Sequence, residues 1–113
     1  MKALFVELPA FERHRAEYLD DLDMRRLESL LLVTPAAGAV IAATGGLRKL
    51  RWADRRRGKG KRGGLRIIYF WWEAGRQFWL FTVYDKGEAD DLLPEQRAAL
   101  SQLLQRELRA RRP

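Results

Sequence analysis

At 113 residues and 47% hydrophobic composition, the chain has room for one core that buries roughly two thirds of its unfolded surface without staples. It holds no cysteine and a single histidine, His14, which excludes disulfides, thiolate nucleophiles and two-histidine acid-base or metal schemes within one protomer. The net charge of +7 is uneven: residues 47–84 carry eleven basic residues against two acids, a balance of +9, and the remainder sums to −2, so the positive charge belongs to one local structure and calls for a polyanionic partner, nucleic acid first.

In chain order, residues 2–8 alternate Leu4, Val6 and Leu8 against Ala3, Phe5 and Glu7 and read as a first strand. This stretch is too short an apolar run for a signal peptide, and with the absence of cysteine it leads us to expect a cytoplasmic protein. Pro9 suits the first turn of a polar helix over 10–18, on which His14 reads as a solvated residue. Asp20 with Asp23 forms an N-cap signature for a second helix over 21–32, whose buried stripe is Met24, Leu27, Leu30 and Leu31. Seven acids and four arginines lie between Glu7 and Glu28, so this helical layer is acidic.

Residues 29–47 carry no charge, but Pro35, Gly38, Gly45 and Gly46 interrupt them and argue against a membrane span. Thr34-Pro35 ends the helix, 36–44 is ambiguous between strand and loop, and Gly45-Gly46 marks a turn.

Residues 47–52 read as a strand that places Leu50 and Trp52 on one face and Lys49 and Arg51 on the other. Residues 53–63 have no apolar side chain beyond Ala53 and read as a mobile cationic loop carrying Arg55, Arg56, Arg57, Lys59, Lys61 and Arg62. Residues 65–72 and 77–84, rich in aromatic and β-branched side chains, form a hairpin across Glu73-Ala74-Gly75-Arg76. Apolar groups lie on both of its faces; the helices can cover one, and the other needs further cover, part of which a partner could supply. Glu88, Asp90 and Asp91 precede Pro94, which opens a final helix to about residue 108 with Leu100, Leu103, Leu104 and Leu108 as its stripe, followed by a frayed tail.

The glycines of Gly58-x-Gly60-x-x-Gly63 match a dinucleotide fingerprint in spacing only, because a strand and not a helix follows them. Neither Lys59 nor Lys61 precedes Ser or Thr, which excludes a P-loop. The glycines instead suit a loop that tracks a phosphate backbone. Cleavage of RNA by its own 2′-hydroxyl needs a base, cations for the phosphorane and an acid for the leaving 5′ oxygen. The acids lie mostly in the helices, away from the basic run, so we expect a site of Arg, Lys and Tyr with no metal and no cofactor.

Val6-Glu7-Leu8-Pro9-Ala10-Phe11, Gly46-Leu47-Arg48-Lys49-Leu50-Arg51-Trp52, the run from Arg57 through Gly64-Leu65-Arg66-Ile67-Ile68-Tyr69-Phe70, and Tyr84-Asp85-Lys86 together resemble the RelE/ParE superfamily of toxins from bacterial toxin-antitoxin modules, in particular its HigB-like branch. The resemblance covers nearly the whole chain. It implies a single α+β domain over 1–113, ordered β-α-α-β-β-β-α, with a mainly antiparallel sheet packed against N-terminal helices and a C-terminal helix. It also implies a metal-independent endoribonuclease that cuts mRNA in the A site of the small ribosomal subunit and is silenced by a helix-turn-helix antitoxin. Residue by residue, it puts the family's paired strand cations on Lys49 and Arg51 and its arginine after the glycine turn on Arg66. Near the C-terminal end of the sheet, where the family carries an arginine and then a tyrosine, this chain departs from the pattern and has Tyr84 and Lys86, so the general acid and base stay open. Arg48, Arg55, Arg56, Arg57, Lys59, Lys61 and Arg62 are the expected RNA contacts. A ParE-like inhibitor of DNA gyrase and a non-catalytic RNA- or ribosome-binding module are the alternatives.

Overall fold

A computed structural model describes residues 1–87 and 92–111; the acids expected before the last helix, Glu88, Asp90 and Asp91, and the tail Arg112-Pro113 lie outside the described residues. The order is β1 (Leu4–Glu7), α1 (Pro9–Tyr18), α2 (Asp21–Val33), β2 (Ala39–Val40), β3 (Arg48–Trp52), β4 (Leu65–Trp72), β5 (Gln77–Asp85) and α3 (Pro94–Arg111). The five strands make one sheet in the order β1-β5-β4-β3-β2, with β1 parallel to β5 and the other pairs antiparallel. The expected α+β architecture is present. Its one addition is β2, a two-residue edge strand in the stretch that the sequence leaves ambiguous.

Each helix starts where its residues dictate. Pro9 opens α1, where its missing N–H costs nothing. At α2 the Asp23 amide donates to the Asp20 carboxylate at 2.8 Å, and the Asp20 amide donates to the Asp23 carboxylate at 3.3 Å, a reciprocal cap. Thr34 closes α2, and the chain returns to the sheet through a clasp on Tyr69. The Tyr69 hydroxyl donates to the Pro35 carbonyl at 2.7 Å and accepts from the Gly38 amide at 3.0 Å. Burial raises the pKa of this phenol, against the smaller opposite pull of the Gly38 N–H and of Arg48.

The sheet is covered on both faces, which is why β4 reads as a nearly continuous apolar run. On one face Leu50, Leu65, Ile67, Tyr69, Phe78 and Leu80 pack against Phe11, Tyr18, Met24, Leu27 and Leu31 of α1 and α2. On the other, Ile68, Trp79 and Phe81 pack against Leu8, Leu47 and Leu104, with Leu100, Leu103 and Leu108 of α3 alongside. The second face therefore draws its cover from the chain's own last helix.

A β-bulge sets the faces near the end of β5. Ile68 pairs with Thr82 but Tyr69 pairs with Leu80, so Phe81 is the extra residue. The bulge reverses the alternation. Before it Trp79 and Phe81 face α3; after it Thr82 and Tyr84 do, in company with Gln96, Ala99 and Leu100.

Candidate nucleic-acid interface

The register across the three central strands builds the site. Arg51 of β3 pairs with Arg66 of β4, and Arg66 pairs with Tyr84 of β5. One step along, Lys49 pairs with Ile68, and Ile68 with Thr82. Beyond β5 the Lys86 amide donates to the Gly64 carbonyl at 3.0 Å, which holds Lys86 beside the end of the loop. Lys49, Arg51, Arg66 and Tyr84 thus share one sheet face; Tyr84 packs against α3 with its hydroxyl buried, whereas Lys49 and Arg51 lie outside that contact. Two arginines directly opposite cost roughly 0.2–1 kcal/mol. Burial of one Leu or Ile contributes about 1.5–3 kcal/mol, and β3 and β4 bury Leu50, Leu65, Ile67 and Ile68. Apolar alternation therefore wins and imposes the cationic pairing.

The two arginines differ in what they can touch. Arg51 is exposed, whereas Arg66 is buried to 3%. The Arg66 guanidinium donates to the carbonyls of Lys61 at 2.8 Å, Leu65 at 3.0 Å and Arg62 at 3.0 Å. Its charge lies under the row while its donors hold the loop. Arg48, one residue from Lys49, projects to the opposite face, where it donates to the Gly38 carbonyl at 2.8 Å. Of the expected contacts, Arg48 is the one the strand alternation separates from the site.

The loop is pinned, contrary to the expectation of a mobile segment. Asp54 and Lys59 exchange backbone hydrogen bonds of 2.8 Å in each direction, closing a short turn in which Gly58 takes φ 66°. Arg57 folds back and meets the carboxylates of Asp54 and Asp85 at 3.2 Å each. Its guanidinium lies 5.1 Å from the centre of the Tyr18 ring. Burial opposes the Arg57 charge, but Asp54 and Asp85 outweigh it and raise the pKa. Lys59 stands 3.8 Å from Asp85. At the end of the loop, Gly64 passes so close to β3 that a Cβ there would lie 2.5 Å from the Trp52 carbonyl oxygen and 2.7 Å from that of Gly60.

These contacts also divide the loop's cations. Arg56 lines an open groove with Glu12, Asp20 and Asp21, and Arg55 sits by Asp23 and Arg26, so both lie on the helical side. Lys61 lines the groove with Asp23 and Arg26 as well, and also a shallow groove of about 320 Å³ with Lys49 and Arg51. Arg62 is exposed. The acidic helices thus draw part of the basic run toward themselves, and the open face keeps Lys49, Arg51 and Lys61 as its front, with Arg66 beneath.

Sequence reasoning overlooked the part played by Asp54 and Asp85, buried to 3% and 5%. It set the acids apart from the basic run, yet these two stand inside it. An aspartate directly ahead of three arginines was the available signal. Their carboxylates are engaged by Arg57 and Lys59, so the groups offered on the open face are amines and guanidiniums. Among the described residues no three His, Cys, Asp or Glu side chains gather to hold a metal. No described helix is long and apolar enough to cross a membrane.

No protein-family model matches the sequence. Among solved structures, the chain is similar to a double-arginine mutant of the E. coli toxin RelE in its free state, at a TM-score of 0.53 and 11% identity over 80% of this chain and 90% of that one. The fold is RelE-like. At that identity the likeness rests on the path of the backbone, and the residues of the open face are read from this chain alone. In this RelE-like frame the cationic row crosses the three-strand meander at the end where the basic loop is attached, and α3 covers the remainder of the same face.

Proposed function

We propose that this chain is the toxin of a toxin-antitoxin module, an endoribonuclease of the HigB-like kind that cuts mRNA on the ribosome without a metal and is restrained by a helix-turn-helix antitoxin. The observation that carries the reading is the pairing of Arg51 with Arg66, with Lys49 and Lys61 beside it, on a RelE-like sheet. A cleaving RNA strand develops negative charge on the scissile phosphate, and fixed cations aimed at that point stabilise it most where water is partly excluded. Lys49 and Arg51 meet the non-bridging oxygens, Arg66 adds charge from below, and of the two residues named for proton transfer Lys86 is the accessible one, the Tyr84 hydroxyl being buried against α3. This division needs none of the carboxylates that a metal site would use. Dependence on the ribosome fits an open face: a shallow groove orders little of a free RNA by itself, and an external scaffold that presents the strand would complete the alignment.

The test is to add the purified chain to translating ribosomes, to the same mRNA without ribosomes, and to gyrase with supercoiled DNA. Cleavage in the first alone is the expected result. Intact message with gyrase-linked DNA breaks would overturn the nuclease reading in favour of an inhibitor. RNA binding without cleavage in either RNA arm would leave only a binding module.

A further inference from the structure

Four contacts converge on a loop residue that the RNA site leaves unused. Arg57 reaches Asp54 and Asp85 at 3.2 Å each, lies over Tyr18, and its amide donates to the Asp54 carboxylate at 3.3 Å. Asp85 is fixed in turn by the Gly87 amide, which donates to it at 2.8 Å. The latch joins three elements distant in sequence: the loop, the end of β5 and the last turn of α1. On the opposite side of the loop, Arg66 holds the carbonyls of Lys61 and Arg62. The loop is therefore held from both sides, and Lys61, at the second clamp, stands between the groove it lines with Asp23 and Arg26 and the one it lines with Lys49 and Arg51.

We infer that Arg57 is a positioning residue and not an RNA contact: clamped between Asp54 and Asp85 over Tyr18, it fixes the loop so that Lys61 completes a three-cation phosphate site with Lys49 and Arg51. This deepens the functional reading above and rests on it for the identity of the ligand. Simple electrostatics gives the opposite sign. Taking an acid from a basic surface strengthens its binding to RNA in general, whereas taking Asp85 from the latch frees Arg57, loosens the loop and costs Lys61 its place.

Two variants separate these cases. Asp85→Asn raises the formal charge by one unit, and Arg57→Lys leaves it unchanged but loses the flat guanidinium that lies over the Tyr18 ring. The Arg57 side chain is 39% exposed, so Arg57→Lys leaves both apolar cores untouched. Each full-length variant is compared with the parent for affinity to a short single-stranded RNA by fluorescence anisotropy, and for the rate of limited trypsin cleavage within residues 55–62. We expect both variants to bind RNA about tenfold more weakly, the scale of one lost charged contact, and to be cut in the loop faster while melting cooperatively. Equal or tighter RNA binding by Asp85→Asn would overturn the inference, as would unchanged trypsin resistance in both variants. If the parent chain does not bind this free RNA, as dependence on the ribosome allows, the trypsin comparison alone decides whether the latch exists.

Discussion

Arg51 and Arg66 face each other across β3 and β4, yet Arg51 is exposed and Arg66 is buried to 3% beneath the loop carbonyls. The same charge at the same level of the sheet thus serves two ends, one toward a ligand and one toward the chain itself. Substitutions at the two positions are expected to part company accordingly.

Arg66→Ala removes three hydrogen bonds at 2.8–3.0 Å, two to the loop carbonyls of Lys61 and Arg62 and one to that of Leu65 in β4. Leaving such acceptors unpaired costs about 1–3 kcal/mol. Urea denaturation of this variant should show a lowered midpoint. Arg51→Ala, on an exposed side chain, should stay within about 0.5 kcal/mol of the parent.

The RNA contacts can be counted by salt. For a single strand, log K falls with log salt by about 0.7 per phosphate neutralised. Lys49→Ala and Arg51→Ala should each flatten the slope by about that amount in anisotropy titrations. Arg48→Ala, whose side chain holds the Gly38 carbonyl on the other face, should leave the slope unchanged.

Gly64→Ala places a methyl group 2.5 Å from the Trp52 carbonyl oxygen. Both neighbours are backbone and cannot swing aside, so the strand must shift, at a cost of about 1–3 kcal/mol. The expected result is a lower melting temperature together with faster amide exchange in residues 52–66.

The α2 cap carries a pH signature. The Asp23 amide holds the Asp20 carboxyl below its ordinary 3.8, against partial burial, with help from the Asp23 side chain and Arg56. A carboxylate depressed by folding stabilises the fold fully above its unfolded pKa and loses that contribution as pH falls through the folded one. Stability measured as pH falls below about 3.8 should therefore decline less steeply for Asp20→Asn than for the parent.

Local pattern carried the helices, the two long strands and the face shared by Lys49 and Arg51, because each depends on periodicity within one element. The bulge at Phe81 was not legible: nothing in Gln77-Phe78-Trp79-Leu80-Phe81-Thr82-Val83-Tyr84 marks where the alternation reverses, and the reversal is what brings Tyr84 beside Arg66. Nor was β2, whose two residues are too few to show a period. The loop looked mobile because its anchors come from afar: Asp85 lies 28 positions from Arg57, and Tyr18 lies on another layer. Composition shows how many arginines a loop has, not which of them the fold consumes.

The most direct measurement maps mRNA 5′ ends on translating ribosomes treated with the parent chain and with the Lys49→Ala, Arg51→Ala double variant, after matched melting curves show both folded. Codon-phased cuts by the parent, absent with the double variant, are the expected result. Undiminished cutting by the double variant would contradict the claim that this cationic row does the chemistry.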